Sequence, residues 1–208
     1  MKILVACEES QTVMKAFRAK GHDAWSCDIQ DCSGGDPLHH IKADVLTMID
    51  DDWDMIIAFP PCTYLSGAGN SCFSEKRFPI EKIEERKKLR EKAAEFFLVF
   101  ANCKCAKVAI ENPVGYMNTH YRKPDQIIHP YYFGEPYMKR TCLWLRGLPK
   151  LEYTNVLPKP EPLSISNGKI TKGKKRNWVE SCKGGKDRQK IRSKTFQGVA
   201  LAMAEQWG

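Results

Sequence analysis

The sequence lacks several patterns that would place a protein in a class at once. It contains no C-x-x-C pair, and its nine cysteines are an odd set without regular spacing, which argues against a zinc site and a disulfide framework. No apolar run approaches the length of a membrane span, and residues 3–6 are too short an apolar stretch for a secretory signal. We therefore expect free thiols, no bound metal and a cytoplasmic location.

Acidic residues are scarce relative to basic ones. The 208 residues include 33 lysines and arginines against 25 aspartates and glutamates, which gives a net charge of +8 and a pI near 9.0. The imbalance is strongest between positions 169 and 194, where only Glu180 and Asp187 oppose a run of lysines and arginines. Such a charge distribution favours a polyanionic partner.

Short apolar segments alternate with helical segments along most of the chain. This alternation predicts an α/β fold with a doubly wound, mostly parallel sheet. Ser10 is the expected cap of the first helix and Gly21 its stop. We expect strands at 2–6, 24–29, 43–46, 53–59, 107–111 and 141–145, and helices at 11–20, 81–103 and 193–207.

The composition changes at Gly147, after which prolines and glycines interrupt regular structure. The chain is therefore expected to divide into an α/β domain at 1–146, a short basic and loop-rich segment at 147–192, and a C-terminal helix at 193–208 that packs back on the first domain. At this length the chain can bury one core.

A run with two prolines places a cysteine where a buried strand ends. In open α/β sheets, ligands bind outside the carboxyl ends of the strands, so a thiol there is a candidate nucleophile. A rigid turn followed by an ordinary buried cysteine is the alternative that the run alone leaves open. The run is Phe59-Pro60-Pro61-Cys62-Thr63-Tyr64-Leu65-Ser66.

Polar residues also follow the first predicted strands. The loop from Ala6 to Gln11 opens a helix, where backbone amides can meet a nucleotide-like cofactor. Asp28 ends the second strand, the usual place for a carboxylate that accepts hydrogen bonds from ribose hydroxyls, and Asp44 is a second candidate for cofactor binding. Turn formation is the alternative for both aspartates.

Two further polar groups lie at the ends of later strands. Glu111, in Glu111-Asn112-Pro113, is either an acid with a raised pKa beside the cysteine loop or a turn cap. Lys139 and Arg140 precede the last predicted strand. They either hold a phosphate or substrate oxygen, or flank the strand as solvated charges.

These motifs together resemble those of the DNA cytosine-5 methyltransferase family, in the small form found in phage and prophage genomes. Residues 60–66 are similar to the family's Pro-Pro-Cys-Gln-x-Phe-Ser loop, and Glu111-Asn112-Pro113 to its Glu-Asn-Val signature. Residues 133–141 are similar to its Phe-Gly-x-Pro-Gln-x-Arg-x-Arg signature. The resemblance covers about residues 1–146 and the terminal helix.

The chain departs from the family pattern in three places. Residues 6–11 contain no glycine, where the family has a Phe-x-Gly-x-Gly loop. Thr63 replaces the glutamine, and Lys139-Arg140-Thr141 replaces the paired arginines. The target-recognition region is short, because it is confined between Gly147 and Lys190.

The resemblance implies an S-adenosylmethionine-dependent (Rossmann-like) fold with a reduced target-recognition segment, acting in a bacterium or a phage-infected cell. The implied reaction transfers a methyl group to carbon 5 of cytosine in DNA. Cys62 would add to carbon 6, Glu111 would act at ring nitrogen 3, and Lys139 or Arg140 would hold the ring carbonyl oxygen. A homodimer or a protein partner would compensate for the short recognition segment.

Two sets of binding residues follow from the same resemblance. S-adenosylmethionine would be bound by Ala6, Cys7, Glu8, Ser10, Gln11, Asp28, Ile29, Asp44 and Pro60. DNA would be bound by Ser66, Lys174, Lys175, Arg176, Trp178, Lys186 and Arg188.

Three other functions compete with this one. An amino-methyltransferase needs a polar residue before Pro-Pro and an aromatic one after it, but here Phe59 precedes and Cys62 follows. A pyrimidine-modifying relative could use another donor or a free nucleotide. A catalytically silent DNA-binding protein could share the fold.

Overall fold

Seven strands form one sheet in the computed structural model, which describes residues 1–160, 165–166, 169–170 and 192–208. The sheet has the order β3-β2-β1-β4-β5-β7-β6. A separate two-stranded pair consists of β8 (Ile165–Ser166) and β9 (Lys169–Ile170). The strands of the sheet are β1 (Lys2–Ala6), β2 (Asp23–Asp28), β3 (His40–Lys42), β4 (Met55–Ala58), β5 (Val108–Pro113), β6 (Gln126–Ile128) and β7 (Thr141–Arg146).

One strand of this sheet is reversed. The pairs β1–β2, β1–β4, β2–β3 and β4–β5 are parallel, whereas β7 is antiparallel to both of its neighbours, β5 and β6. The prediction of a mostly parallel sheet is therefore confirmed. The strand order changes direction between β1 and β4, and in open α/β sheets such a switch point opens the crevice in which ligands bind.

Helices cover both faces of the sheet. They are α1 (Thr12–Ala19), α2 (Ile80–Asn102), α3 (Met117–His120) and α4 (Gln197–Trp207). In β1, Ile3 and Val5 share a core with α1 and α4, whereas Leu4 and Ala6 share the other core with α2. Because successive side chains of a strand point to opposite faces, the buried part of a central strand between two helical layers must be apolar, as β4 is throughout and β1 is after the exposed Lys2.

The predicted third strand at 43–46 is wrong. The strand β3 lies earlier, at His40–Lys42, and Val45–Thr47 is a 3-10 turn. The side chain of Asp44 accepts a hydrogen bond from the backbone N–H of Leu46 (3.0 Å), and this local bond stabilises a turn in place of a strand. Asp44 therefore forms the turn that the sequence left open as its alternative role.

Strand β6, at one edge of the sheet, and the C-terminal helix α4 also differ from the prediction. The sequence does not predict strand β6, because three residues give too short an apolar pattern to recognise. Helix α4 begins at Gln197 and not at Ser193, since Phe196 is still extended. The division at residues 147–192 stays a prediction, because much of that segment lies outside the described residues.

No helix in the described part of the chain is both long enough and apolar enough to cross a membrane.

Candidate active site at the carboxyl edge of the sheet

The loop after β4 holds Cys62 at the carboxyl edge of the sheet. The backbone N–H of Phe59 still donates to the carbonyl oxygen of Ala6 in β1 (3.0 Å). Pro60 and Pro61 have no N–H to continue the pairing, so the chain leaves the sheet. A tight turn follows, in which the N–H groups of Leu65 (3.1 Å) and Ser66 (2.9 Å) donate to the carbonyl oxygen of Cys62.

The end of β5 is bonded to this loop. The side-chain amide of Asn112 is buried and donates to the carbonyl oxygen of Pro60 (2.8 Å). Beyond β5, the N–H of Tyr116 donates to the carbonyl oxygen of Leu65 (2.7 Å). A Cβ atom at Gly115 would overlap that same oxygen, so only glycine permits this approach. Glu111 is therefore fixed beside the Cys62 loop, as its position at the strand end predicted.

Lys139 reaches the site because β7 is reversed. The segment that precedes an antiparallel strand lies at the edge where its parallel neighbours end, so Lys139 meets Glu111. Lys139 and Thr141 line the same pocket as Glu111. Arg140 is exposed, and its charge acts on His129 and Cys142. The structure thus brings together three of the four predicted catalytic residues.

The charges of these residues influence one another. Burial raises the pKa of Glu111 above its usual range, and the nearby Lys139 ammonium opposes that rise. Burial also raises the pKa of the Cys62 thiol, and the Glu111 charge adds to the increase, whereas Lys139 and Arg192 counteract it. At neutral pH the free site therefore holds a neutral thiol beside an acid that is harder to ionise than usual.

The pocket at Glu111 is narrow, with room of about 20 Å³ for water-sized groups. Its polar lining consists of Glu111, Lys139, Thr141 and Thr195. The rest is apolar, and it is formed by Phe59, Ile128, Pro130, Phe196, Val199 and Met203. Sequence reasoning missed the contribution of residues 195–203, since it treated the terminal helix only as packing. Gly198, a glycine inside an apolar helix, was the available signal of a close approach.

The start of α4 is fixed against the loop that carries Lys139. The N–H of Gly198 donates to Glu135 Oε2 (3.0 Å), and a Cβ atom at Gly198 would overlap the carbonyl oxygen of Phe133. The rings of Phe196 and Tyr137 lie 5.5 Å apart, and Lys139 Nζ lies 5.9 Å from the centre of the Phe196 ring. The C-terminal helix therefore helps to place the ammonium group.

The glycine-free loop after β1 adopts left-handed backbone conformations without glycine. Cys7 has a φ of 58° and Gln11 a φ of 59°, a region that costs energy for residues with a Cβ atom. Gln11 is fully buried, and its side chain donates to Ser26 Oγ (3.2 Å) and Asp36 O (2.7 Å) and accepts from Asp36 N (2.9 Å). These bonds offset the backbone strain.

Glu8, and not Ser10, caps α1. The Glu8 carboxylate is buried and accepts hydrogen bonds from the N–H groups of Val13 (2.7 Å) and Met14 (3.1 Å). Ser10 is also buried, but its hydroxyl is hydrogen-bonded to the hydroxyl of Thr12 (3.2 Å). It accepts no hydrogen bond from a backbone N–H at the start of α1. The expected Ser10 cap is wrong because the left-handed Gln11 turns the chain so that Glu8 lies over the helix start. Burial outweighs these bonds and raises the pKa of Glu8 to about 7.

We expect Glu8 to give the fold a distinct pH dependence. Its pKa rises from 4.5 to about 7 on folding. Between these two pH values, the Glu8 carboxyl is therefore protonated in the folded state and ionised in the unfolded state. Wild-type stability should therefore fall by about 3 kcal/mol relative to Glu8→Gln as the pH rises through this window. Urea unfolding of both proteins at about five pH values between pH 4 and pH 8 measures this difference in stability. Glu91→Gln, at an exposed position of α2, is the control. Parallel curves for wild type and Glu8→Gln would contradict the assignment.

The remaining predicted cofactor residues surround the switch point between β1 and β4. Ala6 and Pro60 are buried. Asp28 is partly exposed, and its Oδ1 accepts from the N–H of Gln30 (2.9 Å). Ile29 is 73% exposed. Burial and the charges of Asp28 and Asp44 all raise the pKa of Cys7, so both carboxylates lie near enough to act on this thiol.

Two arginines of α2 hold the loop that follows Cys62. Arg90 Nε donates to the carbonyl oxygen of Tyr64 (2.9 Å), and its Nη2 donates to Asn70 Oδ1 (2.9 Å). The Arg90 guanidinium lies 3.5 Å from the centre of the Phe73 ring, and Arg86 lies 5.0 Å from that of Tyr64. Ser66, a predicted DNA contact, is in this loop and pairs with Gly115.

We expect Arg90→Ala to loosen the loop without unfolding the protein. The variant loses two hydrogen bonds and a cation–π contact, so a destabilisation of about 1–3 kcal/mol is expected. Alkylation of Cys62 by iodoacetamide should accelerate several-fold, as should proteolysis within residues 63–79. Lys92→Ala, at an exposed position of the same helix, is the matched control. Unchanged alkylation in Arg90→Ala would show that the loop does not depend on this residue.

Several predicted DNA contacts lie outside the described residues: Lys174, Lys175, Arg176, Trp178, Lys186 and Arg188. Among the residues that the structure describes, no cluster of three or more histidine, cysteine, aspartate or glutamate side chains could hold a metal ion.

Comparison with known proteins gives a weak structural likeness. No family model matches the sequence, and no curated protein matches it. The chain is similar to the crystal structure of a prophage-encoded protein of E. coli described as a candidate DNA modification methyltransferase, with 14% identity and a TM-score of 0.47. The match covers 75% of this chain and 51% of that one, so the chain spans about half the length of the structure it matches. A likeness of this size identifies neither the fold nor the activity.

Proposed function

We propose that this protein transfers a methyl group from S-adenosylmethionine to carbon 5 of cytosine in DNA, through a covalent adduct between Cys62 and carbon 6 of the base. The observation that carries the proposal is the meeting of Cys62, Glu111 and Lys139 at one edge of the sheet. A thiol, an acid with a raised pKa and a cation in one place are the groups that this chemistry requires.

Carbon 5 of cytosine is a poor nucleophile until the ring loses its aromaticity. Water takes the proton of the Cys62 thiol as its sulfur forms a bond to carbon 6, and the displaced electron pair makes carbon 5 enamine-like. Glu111 gives its proton to ring nitrogen 3, and Lys139 holds the ring carbonyl oxygen. After carbon 5 has gained the methyl group, water removes the carbon 5 proton, the electrons return to the ring and the bond between sulfur and carbon 6 breaks. The proton on nitrogen 3 returns to Glu111, and the released thiolate regains a proton from solvent.

The pocket beside Glu111 offers the lining that a heteroaromatic ring requires, and it would have to widen to admit one. Its walls are apolar, and an acid and a cation stand at one side. Since a paired base cannot reach such a pocket, a cytosine in duplex DNA must first turn out of the stack. The net charge of +8 supports a polyanionic substrate.

The crevice between β1 and β4 fits a cationic cofactor better than one that carries phosphates. A phosphate usually binds the free N–H groups at a helix start, but the Glu8 carboxylate already accepts two of those of α1. Asp28 and Asp44 add further negative charge. S-adenosylmethionine carries a sulfonium and an ammonium group and has no phosphate, and when bound it would supply the methyl group. Asp28 would accept from its ribose hydroxyls, and Cys7 and Pro60 would line the crevice.

We further propose that the fold is of the S-adenosylmethionine-dependent methyltransferase type. The order β3-β2-β1-β4-β5 is that of nucleotide-binding doubly wound sheets, with the switch point between β1 and β4. Of the proposed cofactor residues, Cys7 and Pro60 follow the two strands at that switch point, whereas Asp28 and Asp44 lie at the ends of β2 and β3. Of the proposed catalytic residues, Cys62 follows β4, Glu111 lies in β5 and Lys139 precedes β7.

Expression in cells without DNA methylation of their own tests the proposal. DNA from these cells is digested to nucleosides, and mass spectrometry should find 5-methylcytosine that is absent with an empty vector. Arg140→Gln, which changes the exposed neighbour of Lys139, should retain most of the product, whereas Lys139→Gln should not. Unmodified DNA would contradict the proposal. A different mass gain on cytosine would favour another donor.

Thermal unfolding with added S-adenosylmethionine tests the cofactor separately. A ligand that binds only the folded state raises the melting temperature by mass action. The absence of a shift at millimolar cofactor would point to a different donor or to a silent relative.

A further inference from the structure

Several buried polar atoms around the site have no hydrogen-bond partner in the described part of the chain. They are Asn112 Oδ1, His129 Nδ1, Arg86 Nε and Arg192 Nε. Asn112 adjoins Glu111, His129 lies between two residues of the pocket, and Arg86 holds the Cys62 loop. Buried polar groups are nearly always bonded in folded proteins, so each of these atoms, which lie in or next to segments of the site but outside the pocket lining, calls for a partner that a ligand could supply.

Arg86 and Arg192 have the most demanding of these unsatisfied atoms, because a guanidinium always carries its positive charge. The Arg86 guanidinium already lies against the rings of Tyr64 and Phe73, which leaves Arg192. The residue is partly buried and lies three positions before Thr195, which lines the pocket. Its charge acts on the Cys62 thiol, as that of Lys139 does. Lys139 also acts on Glu111. Both cations therefore act on Cys62, and of the two only Lys139 also acts on Glu111.

We propose that Arg192 binds the phosphate of the target nucleotide beside Cys62. This inference rests on the proposed function, in which Glu111 and Lys139 satisfy the polar atoms of the base. The phosphate is then the part of the nucleotide that still needs a cation. The Nε–Nη edge of a guanidinium matches two phosphate oxygens, and a partly exposed position suits a phosphate outside the apolar pocket.

The same phosphate chemistry can come from a nucleotide within DNA or from free deoxycytidine monophosphate. Deoxycytidine monophosphate and deoxycytidine are therefore the probes, because they differ only in the phosphate. Calorimetric titration of wild type should show the monophosphate binding at least about tenfold more tightly than the nucleoside. Arg192→Gln should lose this preference and keep the nucleoside affinity, and Arg192→Lys should restore only part of it.

Lys194→Gln is the matched control, since Lys194 is exposed two residues away. It should keep the wild-type preference. Equal affinity of wild type for the two probes would overturn the proposal, and so would an undiminished preference in Arg192→Gln. Thermal unfolding of each variant confirms that the protein is folded.

Two further measurements distinguish DNA from the free nucleotide as the source of the phosphate. They also distinguish a failure of this inference from a failure of the proposed function. If DNA is the source, the slope of log K against log salt for duplex binding should fall by about 1 in Arg192→Gln. If the free nucleotide is the source, the monophosphate is methylated and the slope does not change. A phosphate preference that depends on Arg192, found without any methyl transfer, would support the inference while the proposed function fails. Methyl transfer without that dependence would support the proposed function and overturn the inference.

Discussion

Cys62→Ala is expected to lower the rate of methyl transfer to cytosine by at least about 10⁴-fold. Without the thiol no bond forms to carbon 6, so carbon 5 stays aromatic and inert. Cys62→Ser should be nearly as inactive, because an unactivated hydroxyl is a much weaker nucleophile than a thiolate. Transfer of labelled methyl groups to unmethylated DNA, measured in single-turnover experiments, gives the rates.

The same residue can be tested by trapping the adduct. A duplex that contains 5-fluorocytosine has no proton at carbon 5, so elimination cannot follow methyl transfer and the protein should stay attached through Cys62. Cys72→Ala is the matched control, since Cys72 is a half-buried thiol in the same loop, and it should be trapped like wild type. Trapping of Cys62→Ala, or attachment at another cysteine, would refute the role of Cys62.

Glu111→Gln is expected to slow the reaction by about 10²–10³-fold. The amide has nearly the same shape but no acidic proton for ring nitrogen 3, so the charge that thiol addition pushes onto the ring is poorly stabilised. In the proposed mechanism the protonated acid is the active form. Because burial holds the pKa of Glu111 above its usual range, wild-type activity should persist above the pH at which an ordinary glutamate ionises, and should fall as the pH rises through the raised value.

The pH–rate profile separates this role from a structural one. In Glu111→Gln the descending limb assigned to Glu111 should disappear, while the affinity for S-adenosylmethionine stays the same. Glu95→Gln, at an exposed position of α2, should reproduce the wild-type profile. An unchanged descending limb in Glu111→Gln would assign that ionisation to another group.

Those parts of the fold that depend on local sequence patterns can be predicted from the sequence. Short, mainly apolar runs locate β1, β4 and β5 to within two residues or so of their observed ends, because the middle of a strand between two helical layers has no polar face. The long helix α2 is predicted equally well. Cys62 and Glu111 follow from the same argument, since residues that come directly after parallel strands must meet at one edge of the sheet.

The features that the sequence does not predict depend on contacts between distant residues. The reversed direction of β7 is set by its pairing with β5 and β6, and an apolar run reads the same in either direction. The Glu8 cap depends on the left-handed backbone of Gln11, which in turn depends on bonds to Ser26 and Asp36. The wall formed by Phe196 depends on the close approach of Gly198 to Phe133, more than sixty positions apart by numbering.

The reversal of β7 also determines where this protein can gain new sequence. Strands β6 and β7 form a hairpin in which Ile128 faces Thr141, so its connection, residues 129–140, opens at the edge where β4 and β5 end. Residues inserted near the exposed Pro136, beyond the bridge between Phe133 and Asn155, would lie over that edge and leave every strand pairing in place, because the hydrogen bonds between β6 and β7 end before this point. The hairpin is thus a place where evolution or design can extend the protein's reach for its substrate at little cost to the core.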